Sequence, residues 1–230
     1  AWSVGGRLNG LDRSKFDSWL REKSKQMPTL PKKGKGEDAL TIYDFEINFS
    51  DISWNRFVSP DWEFPIELDR NLALSGHSGI DMAGLLIPTI DSHRASKLIS
   101  MLHQRDYPVM MVGGTGTAKT ATALMFFDSL DVDREMVKKV AFSYATTGGT
   151  FQKTIENELD KRGGKMFGPP GSKQMTVFLD DINMPMVNEW GDQPTLEAVR
   201  QFVADGTFSF LEKDRRGDLK IVEDLHYIAA

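Results

Sequence analysis

The chain has 230 residues, enough for one large domain or one domain with additional pieces. Its net charge of −5, from 28 basic and 33 acidic residues, argues against a nucleic-acid partner. It contains no cysteine, which excludes disulfides and thiolate chemistry, and no apolar run approaches the roughly 18 residues of a membrane span.

The start, Ala1-Trp-Ser-Val-Gly-Gly6, is neither a signal peptide nor a usual initiator, and the last residues read as a strand without a closing turn. Both ends suggest a fragment. Leu11, Phe16, Trp19 and Leu20 have the spacing of a short amphipathic helix with Asp12 at its start. Met27 to Gly36, with two prolines, two glycines and three lysines, reads as an exposed connector. Leu40 to Phe49 alternates apolar and polar residues, with one slip at Tyr43-Asp44, as a half-buried strand does. Trp54, Phe57, Trp62 and Phe64 follow. Their spacing suits the small core of a hairpin better than a stacking site for a ligand. Residues 67–84 read as a loop.

From Leu85 onward, strands alternate with helices. Leu85 to Thr89 is extended, Asp91 caps a helix from His93 to about Gln104, and Tyr107 to Val112 is a strand. A glycine-rich loop and a helix from Lys119 to about Leu130 follow. Lys139 to Ala145 is a second strand, and Thr150 to Lys161 a helix with Phe151, Ile155 and Leu159 on one face. Arg162 to Gly171 reads as a loop, Met175 to Asp181 as a strand, Pro194 to Ala204 as a helix and Val222 to Ala229 as a fourth strand. This order predicts an α/β fold, a parallel sheet flanked by helices. The four histidines (77, 93, 103, 226) form no H-x-x-x-H pair, so no metal cluster built from protein side chains is expected.

Two stretches carry chemistry. Gly113-Gly-Thr-Gly-Thr-Ala-Lys-Thr120 is close to the P-loop pattern G-x-x-x-x-G-K-S/T, with Ala118 in place of the second glycine. Gly113, Gly114 and Gly116 let the backbone turn so that N–H groups, those of Thr115 and Thr117 included, face a phosphate. Lys119 reaches the β- and γ-phosphates and the Thr120 hydroxyl meets magnesium. Ala118 opens the helix, where no left-handed conformation is expected of it. The alternative is a plain glycine-rich turn before a helix. Sixty residues after Thr120, the apolar strand Met175 to Leu179 ends in Asp180 and Asp181. P-loop ATPases need an acid at a strand end for the magnesium shell and often a second to orient the attacking water. A helix cap or a solvated turn is the alternative. A P-loop GTPase is disfavoured because no N-K-x-D guanine motif is present.

Asp180-Asp-Ile-Asn-Met-Pro185 and Asn188-Glu-Trp-Gly-Asp-Gln193 resemble dynein heavy chains. So do Ile87-Pro-Thr-Ile-Asp91, Leu159-Asp-Lys-Arg162 and Phe167-Gly-Pro-Pro170. The resemblance covers essentially the whole chain and points to the third AAA+ module (AAA3) of axonemal outer-arm heavy chains of the γ type. It implies a P-loop NTPase AAA+ large domain at residues 85–230, ending before strand 5 of a sheet ordered 5-1-4-3-2. Residues 37–84 are then a β-rich inter-module connector, and residues 1–36 the last helices of the AAA2 small domain with a connector loop.

It further implies ATP or ADP with Mg2+ as ligands, cradled by Gly113 to Thr120. Asp180 then serves magnesium, Asp181 stands at the catalytic acid position where many relatives have Glu, and Ile87, Pro88 and Thr89 lie on the adenine side. The implied function is regulation of an ATP-driven, microtubule minus-end-directed motor in cilia and flagella. Retention of nucleotide without turnover is the alternative. The implied partners are the other modules of the heavy chain, microtubules, and dynein intermediate and light chains, with no nucleic acid or membrane. The implied location is the cytoskeleton of the axoneme.

Overall fold

A computed structural model describes residues 5–6, 8–23, 40–48, 50–62, 86–211, 213–215 and 217–230. The chain forms two compact units, Ala1–Asp61 and Trp62–Ala230. The expected boundaries at 36/37 and 84/85, the connector at 27–36, the loop at 67–84, Phe64 and Leu85 all lie outside the described residues.

In the first unit, helix α1 spans Gly10–Lys23. Its cap is Asn9, whose Oδ1 accepts from the Asp12 N–H at 2.9 Å, so Asp12 lies inside the first turn rather than at the cap. Leu11 and Trp19 are exposed, and the buried residue is Asp17. Burial of that carboxylate is compensated by Arg21 Nε at 2.8 Å and the Ile42 N–H at 2.7 Å. The slip at Tyr43-Asp44 is a 3₁₀ turn over Ile42–Asp44, which buries Ile42 and Tyr43. The strand β1, Phe45–Asn48, therefore starts later than expected. It pairs antiparallel with β2, Ser53–Arg56, as a hairpin beside which Phe57 is buried.

The second unit contains helix α2 at Ile90–His103, β3 at Val109–Met110, α3 at Lys119–Phe127 and β4 at Glu135–Ala141. Then come α4 at Gly148–Glu156, β5 at Asp160–Gly163, β6 at Met166–Gly168 and β7 at Gln174–Asp180. The unit closes with α5 at Pro194–Asp205, β8 at Thr207–Ser209, β9 at Leu219–Val222 and β10 at Leu225–Ala229.

The main sheet is parallel, in the order β3-β10-β7-β4. Numbered by sequence among the parallel strands, this is 1-4-3-2. Parallel strands buried on both faces read as continuous apolar runs, and β7 is buried from Met175 to Asp180. Successive residues point to opposite faces. Phe178, with Ile228 beside it on β10, meets Ile99 of α2 and Ala123 and Phe126 of α3. Met175, Val177 and Leu179 meet Phe151 and Ile155 of α4 and Val199 and Phe202 of α5. The helices therefore cover both faces.

Several boundaries differ from the sequence reading. The ladder of β3 covers two residues, not Tyr107 to Val112, because only β10 pairs with it among the described residues. Strand β4 begins four residues before the expected start, because this edge strand places Lys138 and Lys139 where solvent and carboxylates receive them. Helix α4 stops at Glu156, and Asp160–Gly163 is extended. It forms a hairpin with β6, which pairs with β9, and β9 with β8, in a second four-stranded sheet ordered β5-β6-β9-β8. The expected loop at Arg162 to Gly171 thus contains the end of β5, all of β6 and the start of a 3₁₀ turn at Pro170–Ser172. The last expected strand divides into β9 and β10 at Asp224, which has a left-handed φ of 59°. Among the described residues no helix is long and apolar enough to cross a membrane, and no cluster of His, Cys, Asp or Glu could hold a metal ion.

Candidate nucleotide site

The glycine-rich loop lies between the end of β3 and the start of α3. Within it, Thr117 Oγ1 donates to the Gly114 carbonyl at 2.9 Å. A Cβ at Gly113 would come within 2.9 Å of that same hydroxyl, so a side chain there would displace it. Lys119 Nζ donates to the carbonyls of Gly113 at 3.2 Å and Gly114 at 2.9 Å, lying across its own loop. Among the described residues, the backbone N–H groups from Gly114 to Ala121 have no protein acceptor. Thr122 N–H is the first to bond back, to the Ala118 carbonyl at 2.9 Å. Thr115 and Gly116 are exposed at the tip, where Gly116 has φ 73°.

Ala118 corrects the sequence reading. It is the N-cap of α3 with φ 58° and ψ 27°, a left-handed conformation. Such a conformation costs an L-residue about 1–2 kcal/mol, which the usual glycine would avoid. The chain has to reverse between the loop and a helix start, and that geometry holds whichever residue occupies the position.

At the end of β7, Asp180 Oδ1 accepts the Thr120 hydroxyl at 3.0 Å, and its Oδ2 forms an ion pair with Lys139 Nζ at 3.0 Å. The parallel pairing of β7 between β10 and β4 brings this carboxylate to the foot of α3. Asp181 is exposed and left-handed, with φ 55°, and its carboxylate has no hydrogen-bond or ion-pair partner among the described residues. The two carboxylates are therefore held differently, one locked and one free.

Thr89 is the N-cap of α2: its hydroxyl accepts from the Ser92 N–H at 3.1 Å, and Ser92 Oγ accepts from the Thr89 N–H at 2.8 Å. This reciprocal box replaces Asp91 as the cap, and Asp91 pairs with Arg94 instead. Ile87 is exposed and Pro88 half-buried.

Lys139 was not legible as a site residue. Its Cα is opposite Phe178, two residues short of Asp180, so the contact follows only from the strand register. The donor set suits a phosphorylated ligand with a hard cation. Loop N–H groups and a helix N-terminus would face an anion, and a hydroxyl and a carboxylate 3.0 Å apart would offer oxygen to a cation.

The profile described as "P-loop containing dynein motor region" matches residues 75–230, and that described as "Dynein heavy chain AAA lid domain" matches residues 1–59. Over 231 aligned residues the chain is 41% identical to the "Dynein gamma chain, flagellar outer arm" of Chlamydomonas reinhardtii. It is 35% identical to "Dynein axonemal heavy chain 5" of Mus musculus, and 36% identical over 232 residues to "Dynein axonemal heavy chain 8" of Homo sapiens. Each alignment covers 100% of this chain and 5% of the relative's length. With a P-loop strand, its loop and an acid-ended strand arranged in a parallel sheet, and with both profiles matching, the chain belongs to the dynein heavy chain family.

Proposed function

We propose that this chain is the third AAA+ module (AAA3), with flanking pieces, of an axonemal outer-arm dynein heavy chain of the γ type. It binds ATP or ADP with Mg2+ and hydrolyses ATP slowly, regulating microtubule minus-end-directed motility in cilia and flagella. The observation that carries this reading is the bond between Thr120 and Asp180 at the foot of the glycine-rich loop.

In this reading Gly113 to Lys119 hold the phosphates through backbone N–H groups and the Lys119 ammonium. Thr120 and Asp180 hold Mg2+, which when bound neutralises charge on the β- and γ-phosphates. Asp181, exposed and without a carboxylate partner among the described residues, orients the attacking water, and Ile87, Pro88 and Thr89 border the adenine. Residues 85–230 form the large domain, 37–84 the β-rich connector and 1–36 the last helices of the preceding module's small domain with a connector loop. The lid profile over residues 1–59 supports a preceding module. The names of the relatives support the axoneme as the location. Neighbouring modules, microtubules, and intermediate and light chains are the partners of the whole heavy chain.

A second reading is a module that retains nucleotide without turnover. The left-handed Ala118 and Asp181, whose side chain is one methylene shorter than the usual Glu, fit slow hydrolysis and retention alike. A single-turnover measurement with radiolabelled ATP on the full heavy chain separates the two. Label retained at this site appears as ADP in the first reading and stays ATP in the second.

A further inference from the structure

We propose that Lys139 is a positioning residue for Asp180, fixing the orientation in which that carboxylate meets the divalent cation; this rests on the reading of Asp180 given above.

The two oxygens of Asp180 have separate partners. Oδ1 faces the Thr120 hydroxyl at 3.0 Å, and Oδ2 faces Lys139 Nζ at 3.0 Å. A carboxylate that meets a cation through one oxygen needs its other oxygen held, because rotation about the last side-chain bond would exchange them. Lys139 provides that hold from the neighbouring strand. Its Cα is opposite Phe178, so its side chain leaves the same face of the sheet as Phe178 and Asp180. The ammonium lies over the Phe178 ring, with Nζ 5.7 Å from the ring centroid, and is 3.0 Å from Asp180 at the strand end. Phe178 is fully buried and cannot yield, so it supports the lysine from below.

The carboxylate is in a setting where such a hold counts. The Asp180 side chain is 11% exposed, and its carbonyl is fixed by the Phe142 N–H at 2.9 Å. The other lysine of the site does not compete for it, since Lys119 donates to Gly113 and Gly114. Lys139 itself is 47% exposed, so it is not a buried structural ion and its removal leaves no cavity in the core.

The test uses the full heavy chain and Mn2+ as the cation probe. The component of Mn2+-dependent nucleotide binding that disappears in Lys119→Ala defines this site. In Lys139→Met, the Mn2+ midpoint of that component rises about tenfold, the low end for residues that hold a metal-binding carboxylate. Nucleotide affinity measured in chelator stays at the wild-type value, and Lys139→Arg restores most of the midpoint. Asp180→Asn raises the midpoint as well. An unchanged midpoint in Lys139→Met beside a raised one in Asp180→Asn overturns the role of Lys139 and leaves Asp180 in place. An unchanged midpoint in Asp180→Asn overturns the assignment of Asp180 itself. A loss of chelator-state affinity equal to the loss with Mn2+ assigns Lys139 a structural role and overturns the proposal.

Discussion

Thr120 donates its hydroxyl hydrogen to Asp180 Oδ1 across 3.0 Å, joining the first turn of α3 to the end of β7. Sixty residues of chain separate them, and only the parallel sheet brings them together. On the same face, Phe178 and Ile228 pack under α3 against Ala123 and Phe126, so the packing core positions the polar pair. Truncating a buried Phe such as Phe178 to Ala would cost about 3–5 kcal/mol and loosen that support.

Asp180 and Asp181 are expected to separate in function. Asp181→Asn slows hydrolysis while ATP stays bound, because an amide cannot accept a proton from the attacking water. Asp180→Asn instead weakens Mg2+-dependent binding. Rapid-quench turnover together with equilibrium binding checks both. Unaltered turnover at this site in Asp181→Asn removes Asp181 from the chemistry and favours nucleotide retention.

Two positions with nearly equal φ should respond oppositely to substitution. Ala118 has φ 58°, and Gly206, which ends α5, has φ 61°. Ala118→Gly relieves left-handed strain, offset in part by glycine's greater freedom when unfolded, for a net gain of about 0.5–1 kcal/mol. Gly206→Ala introduces that strain and sets a Cβ 3.2 Å from the Val222 carbonyl, at a cost of about 1–2 kcal/mol. Amide exchange of α3 and α5 in the full chain reads both changes.

The legible and illegible parts divide on physical grounds. The loop, α3 and the acid-ended strand were readable because phosphate and cation chemistry confine them to short contiguous patterns. The sheet β5-β6-β9-β8 was not. Asp160 and Lys161 read as the end of a helix, and they become strand because β6, itself paired with β9, pairs alongside. Leu159 still packs on the core, so its apolar signal was right and its conformation was not. The left-handed states of Ala118 and Asp181 were hidden for a similar reason: both are imposed by chain direction, not by residue type. Lys139 needed the register of β4 against β7, which no local pattern encodes.

In the first unit, Asp17 ties α1 to the turn before β1 through the Ile42 N–H and Arg21. Asp17→Ala leaves a buried N–H without its acceptor and removes a buried ion-pair partner, at a cost of about 3 kcal/mol. The expected readout is faster exchange of the Ile42 amide and of β1, with the main sheet unaffected. Unchanged exchange at Ile42 would show that the turn holds without Asp17.

His103 and His226 form a pH-sensitive cluster at the end of the sheet opposite Asp180. Their rings are 4.1 Å apart, His103 Nε2 is 3.0 Å from Thr176 Oγ1 and 3.2 Å from Glu135 Oε2, and His226 Nδ1 is 3.5 Å from Asp106. Burial holds both histidines below the ordinary value of 6.5, with the charge of His103 adding to the effect on His226. A lowered folded-state value means that the unfolded chain takes up protons first. Stability is therefore full above pH 6.5 and falls as pH drops toward the folded-state values. Burial raises Glu135 above 4.5, which opposes this trend over the window above that value. Exchange protection of β7 and β10 should fall as pH is lowered from about 7 to about 5.5, after correction for intrinsic exchange, and fall less in His226→Gln. Equal slopes in the two proteins would contradict the assignment.

Lys119→Ala in the full heavy chain removes the ammonium from the glycine-rich loop. Loss of the loop's flexible cation should abolish nucleotide binding here, while the fold survives because, among the described residues, Lys119 bonds to carbonyls of its own loop. The measurement is the number of nucleotides retained per heavy chain after gel filtration in Mg2+. The expected result is a loss of one retained nucleotide relative to wild type, with unchanged thermal unfolding of the nucleotide-free chain. Undiminished occupancy in Lys119→Ala would contradict the assignment of a nucleotide site to Gly113–Thr120.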